Sequence, residues 1–527
     1  MARMVRFAFV LWFAAVVCAQ QRFDVLIVNG RVVDGAGNPW VYADVGIRGD
    51  SIAEVGRLAG RASARVIDAK GKVVAPGFID IHTHSRRGIF EHPEAENYIR
   101  QGVTTLIEGN DGSSPVPLAP FLEKVAATRT TVNFGSFIGQ GSIRQEVLGL
   151  VDRPAAPEEI TRMRSLVEEA MRDGAFGLST GLFYVPGNYT PTAEVVELAR
   201  VAARLGGMHI SHMRDEAAGV VDSVRETIRI GEEGGLPTQV THHKVIGKAN
   251  WGKSAETIAL VEAARARGVD ATLDAYPYTA SSTGTAALFP QWSLEGGQKQ
   301  LLARLADPAA RARIKATIVE RIETDRGGGD PRNVVMAGCS FDGSLAGKNL
   351  AEISRARGRS GSAADAAETA IEIQHKGGCS AVYHAISEED IERILRYPFT
   401  MIGSDGEIPT FGVGAPHPRS YGTFARVLAR YVRERRALTL EDAVHKMSGL
   451  PAARLGLADR GLIRPGMKAD VVVFDPAKVQ DTAEFAKPHQ YAVGFDAVVV
   501  NGEPVIMDGR LTDRRPGRVV YGPAHRQ

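Results

Sequence analysis

Eight short apolar segments run through the middle of the chain. The first ends at His84, and the others span 103–108, 131–139, 174–179, 207–212, 237–244, 269–276 and 399–405. Stretches of helical pattern, such as 156–172, 194–205 and 254–267, lie between them. Strands separated in this way pair in parallel, because a strand needs a crossover to return beside its predecessor. Eight is the number that closes a (β/α)8, TIM-like barrel, whose reactive side chains gather at the C-terminal ends of the strands. The expected barrel covers 76–460. The gap between the seventh and eighth strands is too long for one crossover, so an inserted segment is expected at about 283–345. Its helical stretch at 298–323 is placed to cover the barrel mouth.

The two ends of the chain have a different texture. Residues 20–75 contain short strands broken by Asn29-Gly30 and Gly49-Asp50, both read as tight turns. Residues 461–527 repeat the pattern, with Val471-Val472-Val473-Phe474 and Ala497-Val498-Val499-Val500 as strands. The two ends are expected to pair into one small β-sandwich.

Residues 1–19 read as a secretory signal. Arg3 and Arg6 precede the apolar run 7–17, and Val17-Cys18-Ala19 offers a cleavage site. The protein is therefore expected to be exported, periplasmic or secreted, with a run too short to span a bilayer. Only Cys339 and Cys379 would then remain; they could pair in an oxidising compartment, but two cysteines do not make a disulfide framework, and they are read as small buried residues. With 63 Lys and Arg against 61 Asp and Glu, the net charge is +2, and no basic run supports a nucleic-acid or anionic-membrane partner.

The ends of the barrel strands carry the chemistry. The first strand stops in His82-Thr83-His84, and side chains two apart on a strand share a face. The fifth closes in Met208-His209-Ile210-Ser211-His212 and the sixth in Thr241-His242-His243-Lys244. His82, His84, His212 and His242 suit a zinc-like cation. His209 and His243 point the other way and are read as packed or supporting. Asp405, in Gly403-Ser404-Asp405-Gly406, closes the eighth strand, where a carboxylate beside an activated water serves as general base and then acid.

Together with Asp274-Ala275-Tyr276-Pro277-Tyr278 and His417-Pro418-Arg419-Ser420-Tyr421-Gly422, these motifs resemble the amidohydrolase superfamily, and within it the N-acyl-D-amino-acid deacylases (D-aminoacylases). The resemblance extends over nearly the whole mature chain. It implies a zinc-dependent hydrolase of the amide bond in small N-acyl-D-amino acids. His212 and His242 would hold a tight zinc, and His82 and His84 a second, weaker site. Lys244, Tyr276 and Arg419 would hold the substrate carboxylate, with Ser282 near the reacting amide. Two positions depart from the family. Asp111, in Gly109-Asn110-Asp111-Gly112, stands where a metal-binding Cys is expected, and Glu108 is a rival for its role. Gln140 stands where members often carry His. A dipeptidase acting on D-residue or isoaspartyl peptides is an alternative. A cyclic-amide hydrolase of the dihydroorotase or hydantoinase type would need a lysine on the fourth strand, which 174–179 lacks. A catalytically dead scaffold would be expected to have lost these ligands.

Overall fold

The computed structural model describes residues 22–525, so the signal segment at 1–19 lies outside the described residues. Strands Phe23–Val32, Val41–Arg48, Ser51–Gly56, Ser63–Asp68 and Val73–Pro76 join Val471–Phe474, Phe495–Val500, Glu503–Met507 and Arg510–Leu511. The two ends meet where Val73–Pro76 runs antiparallel to Val471–Phe474, with Val472 opposite Ala75. The hydrogen bonding is continuous, so the small β domain is one nine-stranded sheet. Val25, Ile47 and Ile52 from one end share an apolar cluster with Val471, Val473 and Val499 from the other.

Gly49 sits at the tight turn expected there, with φ 55°. Asn29-Gly30 is not a turn. It is a bulge inside one long strand, where Asn29 takes φ 58° and the pairing with Val41–Arg48 shifts between Ile27 and Gly30. Gly30 is required because a Cβ there would lie 2.4 Å from Val74 Cγ2.

The barrel strands are Phe78–Asp80, Val103–Glu108, Asn133–Ser136, Gly177–Gly181, Met208–His212, Thr238–Val240, Ala271–Ala275 and Thr400–Ile402. Neighbours pair in parallel, as in Gly181 opposite His212 and Ala275 opposite Ile402. Strands one and five face each other across an eight-membered ring. A single apolar cluster holding Ile79, Ile107, Ile210 and Met401 therefore passes through the interior. The seam between first and eighth strands closes at its upper end. There Asp405 N donates to His82 O (2.8 Å) and His84 N to Gly406 O (2.7 Å).

The inserted segment continues well past residue 345. Ser281–Gly284, Ser380–Tyr383 and Val334–Gly338 form a three-stranded antiparallel sheet backed by helices Gly297–Ala306, Pro308–Glu323 and Ala363–His375. It has its own core, including Leu301, Ile314, Ile318, Met336 and Ile371. The residues it brings to the barrel mouth come from the sheet and the loop at Arg326, not from the helical pair. The C-terminal stretch also departs from the expected boundary. Beyond Leu511 it crosses to the barrel, where Phe134 N donates to Arg518 O (2.9 Å) and Val520 N to Phe134 O (2.8 Å).

Cys339 and Cys379 are buried, as read, but they are bonded to each other, with a Cα–Cα distance of 4.4 Å. Forty positions separate them, and the insert's sheet brings them together at the ends of adjacent strands. Closing a loop of that length restricts the unfolded chain, and replacing both cysteines by serine is expected to cost about 2–4 kcal/mol. Chemical denaturation with and without reductant measures this; a midpoint indifferent to reductant would refute the bridge.

Candidate active site

Each candidate side chain leaves the barrel where a strand gives way to a loop. His82 and His84 follow the first strand, Asp111 the second, His212 ends the fifth, His242 follows the sixth and Asp405 the eighth. Three of these six hold a left-handed backbone: Asp111 at φ 55°, His242 at 35° and Asp405 at 52°. Non-glycine residues adopt that region at a cost that the surrounding structure has to impose. For His242 the constraint is Asp274, whose Oδ1 accepts from His242 N (2.7 Å). The same carboxylate accepts from Thr241 Oγ1 (2.7 Å), which in turn contacts His82 Nδ1 (2.5 Å).

The imidazoles converge on Asp111. Its Oδ1 lies 3.5 Å from His82 Nε2 and 3.3 Å from His242 Nε2. Its Oδ2 lies 3.3 Å from His84 Nε2 and 3.6 Å from His212 Nδ1. Asp405 Oδ1 closes the other side, 3.1 Å from His84 Nε2 and 3.6 Å from His82 Nε2. Two overlapping donor sets result: His82, His84, Asp111 and Asp405, and Asp111, His212 and His242. His82 Nε2 and Asp111 Oδ1 are buried without a hydrogen-bond partner, both facing this space. Orphaned lone pairs of nitrogen and oxygen in a buried cluster fit a divalent cation of the zinc class. Glu108 does not compete. It accepts from Arg86 N (2.9 Å) and lies outside both donor sets.

Burial by itself would raise the Asp111 carboxyl, but the charges of His242 and His82 hold it well below the usual carboxylate range. Burial likewise opposes ionisation of Asp405; Arg419 and His82 overcome it and keep the group a carboxylate. His209 and His243 stay out of the cluster. His209 sits between Thr180 Oγ1 (3.0 Å) and Thr238 Oγ1 (2.9 Å), and His243 Nε2 contacts Thr257 Oγ1 (2.7 Å).

Arg419 Nη1 lies 2.7 Å from Asp405 Oδ2, and the guanidinium carbon is 4.8 Å from the Tyr276 ring centre. The Tyr276 hydroxyl is buried and has no hydrogen-bond partner among the described residues. Ser282 lines the same cavity, and its carbonyl is 3.4 Å from Arg419 Nη2. Lys244 is less free than its position in sequence suggests: Nζ is held by Glu216 Oε1 (2.5 Å) and His242 O (3.0 Å). Gln140 donates to Thr190 Oγ1 (2.9 Å), away from the donor sets.

Glu216 is absent from the sequence reading and central in the structure. Its Oε1 is 3.2 Å from His242 Nδ1, and its Oε2 3.9 Å from His212 Nε2. One buried carboxylate thus stands behind two imidazoles, the arrangement that orients metal-binding histidines. Its spacing, four residues after His212, was the available signal. Asp274 was visible as part of a motif but not as the strut beneath His82 and His242. Arg326, from the insert, also reaches the cavity.

Residues 65–506 match the Amidohydro_3 model, described as the amidohydrolase family. The chain is 39% identical to a D-aminoacylase of Alcaligenes xylosoxydans xylosoxydans, over 95% of this chain and 98% of that one. It is 37% identical to an N-acyl-D-glutamate deacylase of the same organism, over 95% and 97%. Among solved structures it resembles the N-acyl-D-glutamate deacylase from Bordetella bronchiseptica, complexed with zinc and a phosphonate that mimics the tetrahedral intermediate. The TM-score is 0.82 at 34% identity, covering 95% of this chain and 100% of that one. By a family match spanning most of its length and full-length relatives well above 30% identity, the chain belongs to the amidohydrolase family.

Proposed function

We propose that the chain is a zinc-dependent deacylase that hydrolyses the amide of N-acyl-D-amino acids to a carboxylate and a free D-amino acid. One observation carries the reading. Asp405 touches the donor cluster through His84 (3.1 Å) and the cationic wall through Arg419 (2.7 Å), so it stands between a metal and a carboxylate anchor. A substrate with a carboxylate next to an amide spans those two points. The deacylases of known name that resemble this chain act on such compounds.

His212, His242 and Asp111 would hold one zinc, and His82 and His84, with Asp111 and Asp405, a second. Zinc, when bound, supplies Lewis-acid polarisation of the amide carbonyl and a water acidic enough to react near neutral pH. Arg419 grips the substrate carboxylate with its planar fork, and the unpartnered Tyr276 hydroxyl donates to it. Asp405 takes the proton of the attacking water and returns it to the departing amine. Arg419 keeps Asp405 ionised beforehand, which suits a base. Lys244, tied to Glu216, acts mainly by fixing His242. The fourth barrel strand, Gly177–Gly181, carries no lysine for a carboxylated bridge, and this disfavours cyclic-amide hydrolysis.

Export of the protein is part of the proposal. It rests on Arg3, Arg6 and the apolar run at 7–17, and is supported by the Cys339–Cys379 bridge, since such bonds persist in oxidising compartments. N-terminal sequencing of the native protein should begin near Gln20 in an exported fraction; recovery from the cytosol with Met1 intact would refute it.

The purified, zinc-loaded protein should release amine from N-acetyl-D-amino acids and not from their L-enantiomers. Hydrolysis confined to L-compounds or cyclic amides would overturn the assignment. Asp405→Asn is expected to lower kcat by at least ~10³-fold, the upper part of the range for a general base, with zinc content retained. Asp111→Ala should instead lose zinc, measured by elemental analysis. Near wild-type turnover in Asp405→Asn would remove its proposed role.

A further inference from the structure

The cavity at the barrel mouth has a volume of ≈ 690 Å³, within the range of small-molecule sites. Among the described residues its lining contains no Leu, Ile, Met, Phe or Trp; its apolar side chains are Val185, Val413, Ala337 and three prolines, beside the ring of Tyr184.

Three cations of the lining have no part in the mechanism; Arg86 is bonded to Glu108 and Ser113 and Arg87 to Glu407, which leaves Arg326. It is 3% exposed, yet it lines this cavity. Its guanidinium lies 4.5 Å over the Phe183 ring, and its nearest ion-pair partner, Glu216 Oε2, is 3.9 Å away. Among the described residues the guanidinium donates no hydrogen bond, and Glu216 Oε2 accepts none. The other acidic neighbour is Asp325, which accepts from the Arg326 backbone. The position is enforced locally. After helix Pro308–Glu323 the chain folds back, with Gly327 N donating to Arg321 O and Gly329 N to Ile322 O, both at 3.1 Å. A Cβ at Gly327 would lie 2.2 Å from Ile322 O, so glycine is needed for that return.

A buried planar fork with free donors facing the cavity has the geometry that receives a carboxylate. We propose that Arg326 anchors an anion subsite, and that the substrate carries a second carboxylate besides the one held by Arg419. That group belongs either to the side chain of the amino acid or to the acyl chain. The inference rests on the deacylase reading and narrows it to dianionic substrates.

The zinc-loaded full-length protein is assayed on two pairs, each comparing a carboxylate with its amide. The pairs are N-acetyl-D-glutamate with N-acetyl-D-glutamine, and N-succinyl-D-alanine with N-succinamoyl-D-alanine. In at least one pair the acid should be preferred in kcat/KM by about 10- to 100-fold, the range of a charge-assisted hydrogen bond. The pair that shows it identifies which end of the substrate meets Arg326. In Arg326→Gln the preference should collapse to within about threefold, chiefly through KM, while Arg326→Lys retains part of it. Equal turnover of acid and amide in both pairs overturns the inference, as does a preference unmoved in Arg326→Gln. If that variant fails to fold, the wild-type ratios decide. Hydrolysis of N-acetyl-D-leucine alone leaves the deacylase reading standing and removes this one. Hydrolysis of no N-acyl-D-amino acid removes both.

Discussion

Four imidazoles and two carboxylates crowd together at the top of the barrel, and such a group is tolerable only if its charges and lone pairs are answered. Asp111 is the answer from inside the chain, with one oxygen toward His82 and His242 and the other toward His84 and His212. The shortfall that remains, seen in the orphaned His82 Nε2 and Asp111 Oδ1, is the size and type of a divalent cation. The site is thus built around an electrostatic debt to a metal, and the surrounding structure holds it rigid.

That rigidity comes from the barrel. His82 and Asp405 exchange backbone contacts across the closing seam, so the position of a ligand and that of the general base are one geometric fact. Asp80, beneath them, accepts from both Ser404 N (2.9 Å) and His82 N (3.2 Å), tying the same two strands a second time. Asp274 and Glu216 extend the scaffold outward, each bonded to more than one member of the site. The left-handed turns at Asp111, His242 and Asp405 fall where this scaffold is densest, as expected if strain is carried by local over-determination. The insert then roofs the mouth with its own sheet and sets Arg326 and Ser282 against a surface the barrel alone would leave open.

Much of this was legible in the residues. The alternation of strands and helices marked the barrel, and histidines at the ends of strands one, five and six, with Asp405 at the eighth, marked the site. The opposite directions of His242 and His243 followed from strand periodicity, although the chain there has already left the strand. Other features were not legible. Asn29-Gly30 has the composition of a hairpin turn and forms a bulge instead, because Val74 of another strand packs against Gly30. Lys244 looked like a free anchor until Glu216 proved to occupy its ammonium. The pairing of Cys339 with Cys379 stayed open because nothing in their spacing records that two strands of the insert bring them together.

The amino-acid sequence by itself determined the alternation of strands and helices in the barrel, its parallel order and the kinds of ligand at its mouth. Periodicity and side-chain chemistry are local properties, readable from neighbours along the chain. Only the tertiary structure decided that Asp111 and not Glu108 turns inward, that Glu216 stands behind two imidazoles and that Arg326 enters the cavity with its donors free. Those outcomes depend on which distant groups compete for each polar atom once water is removed, and that competition is settled only when the barrel closes and the insert folds over it.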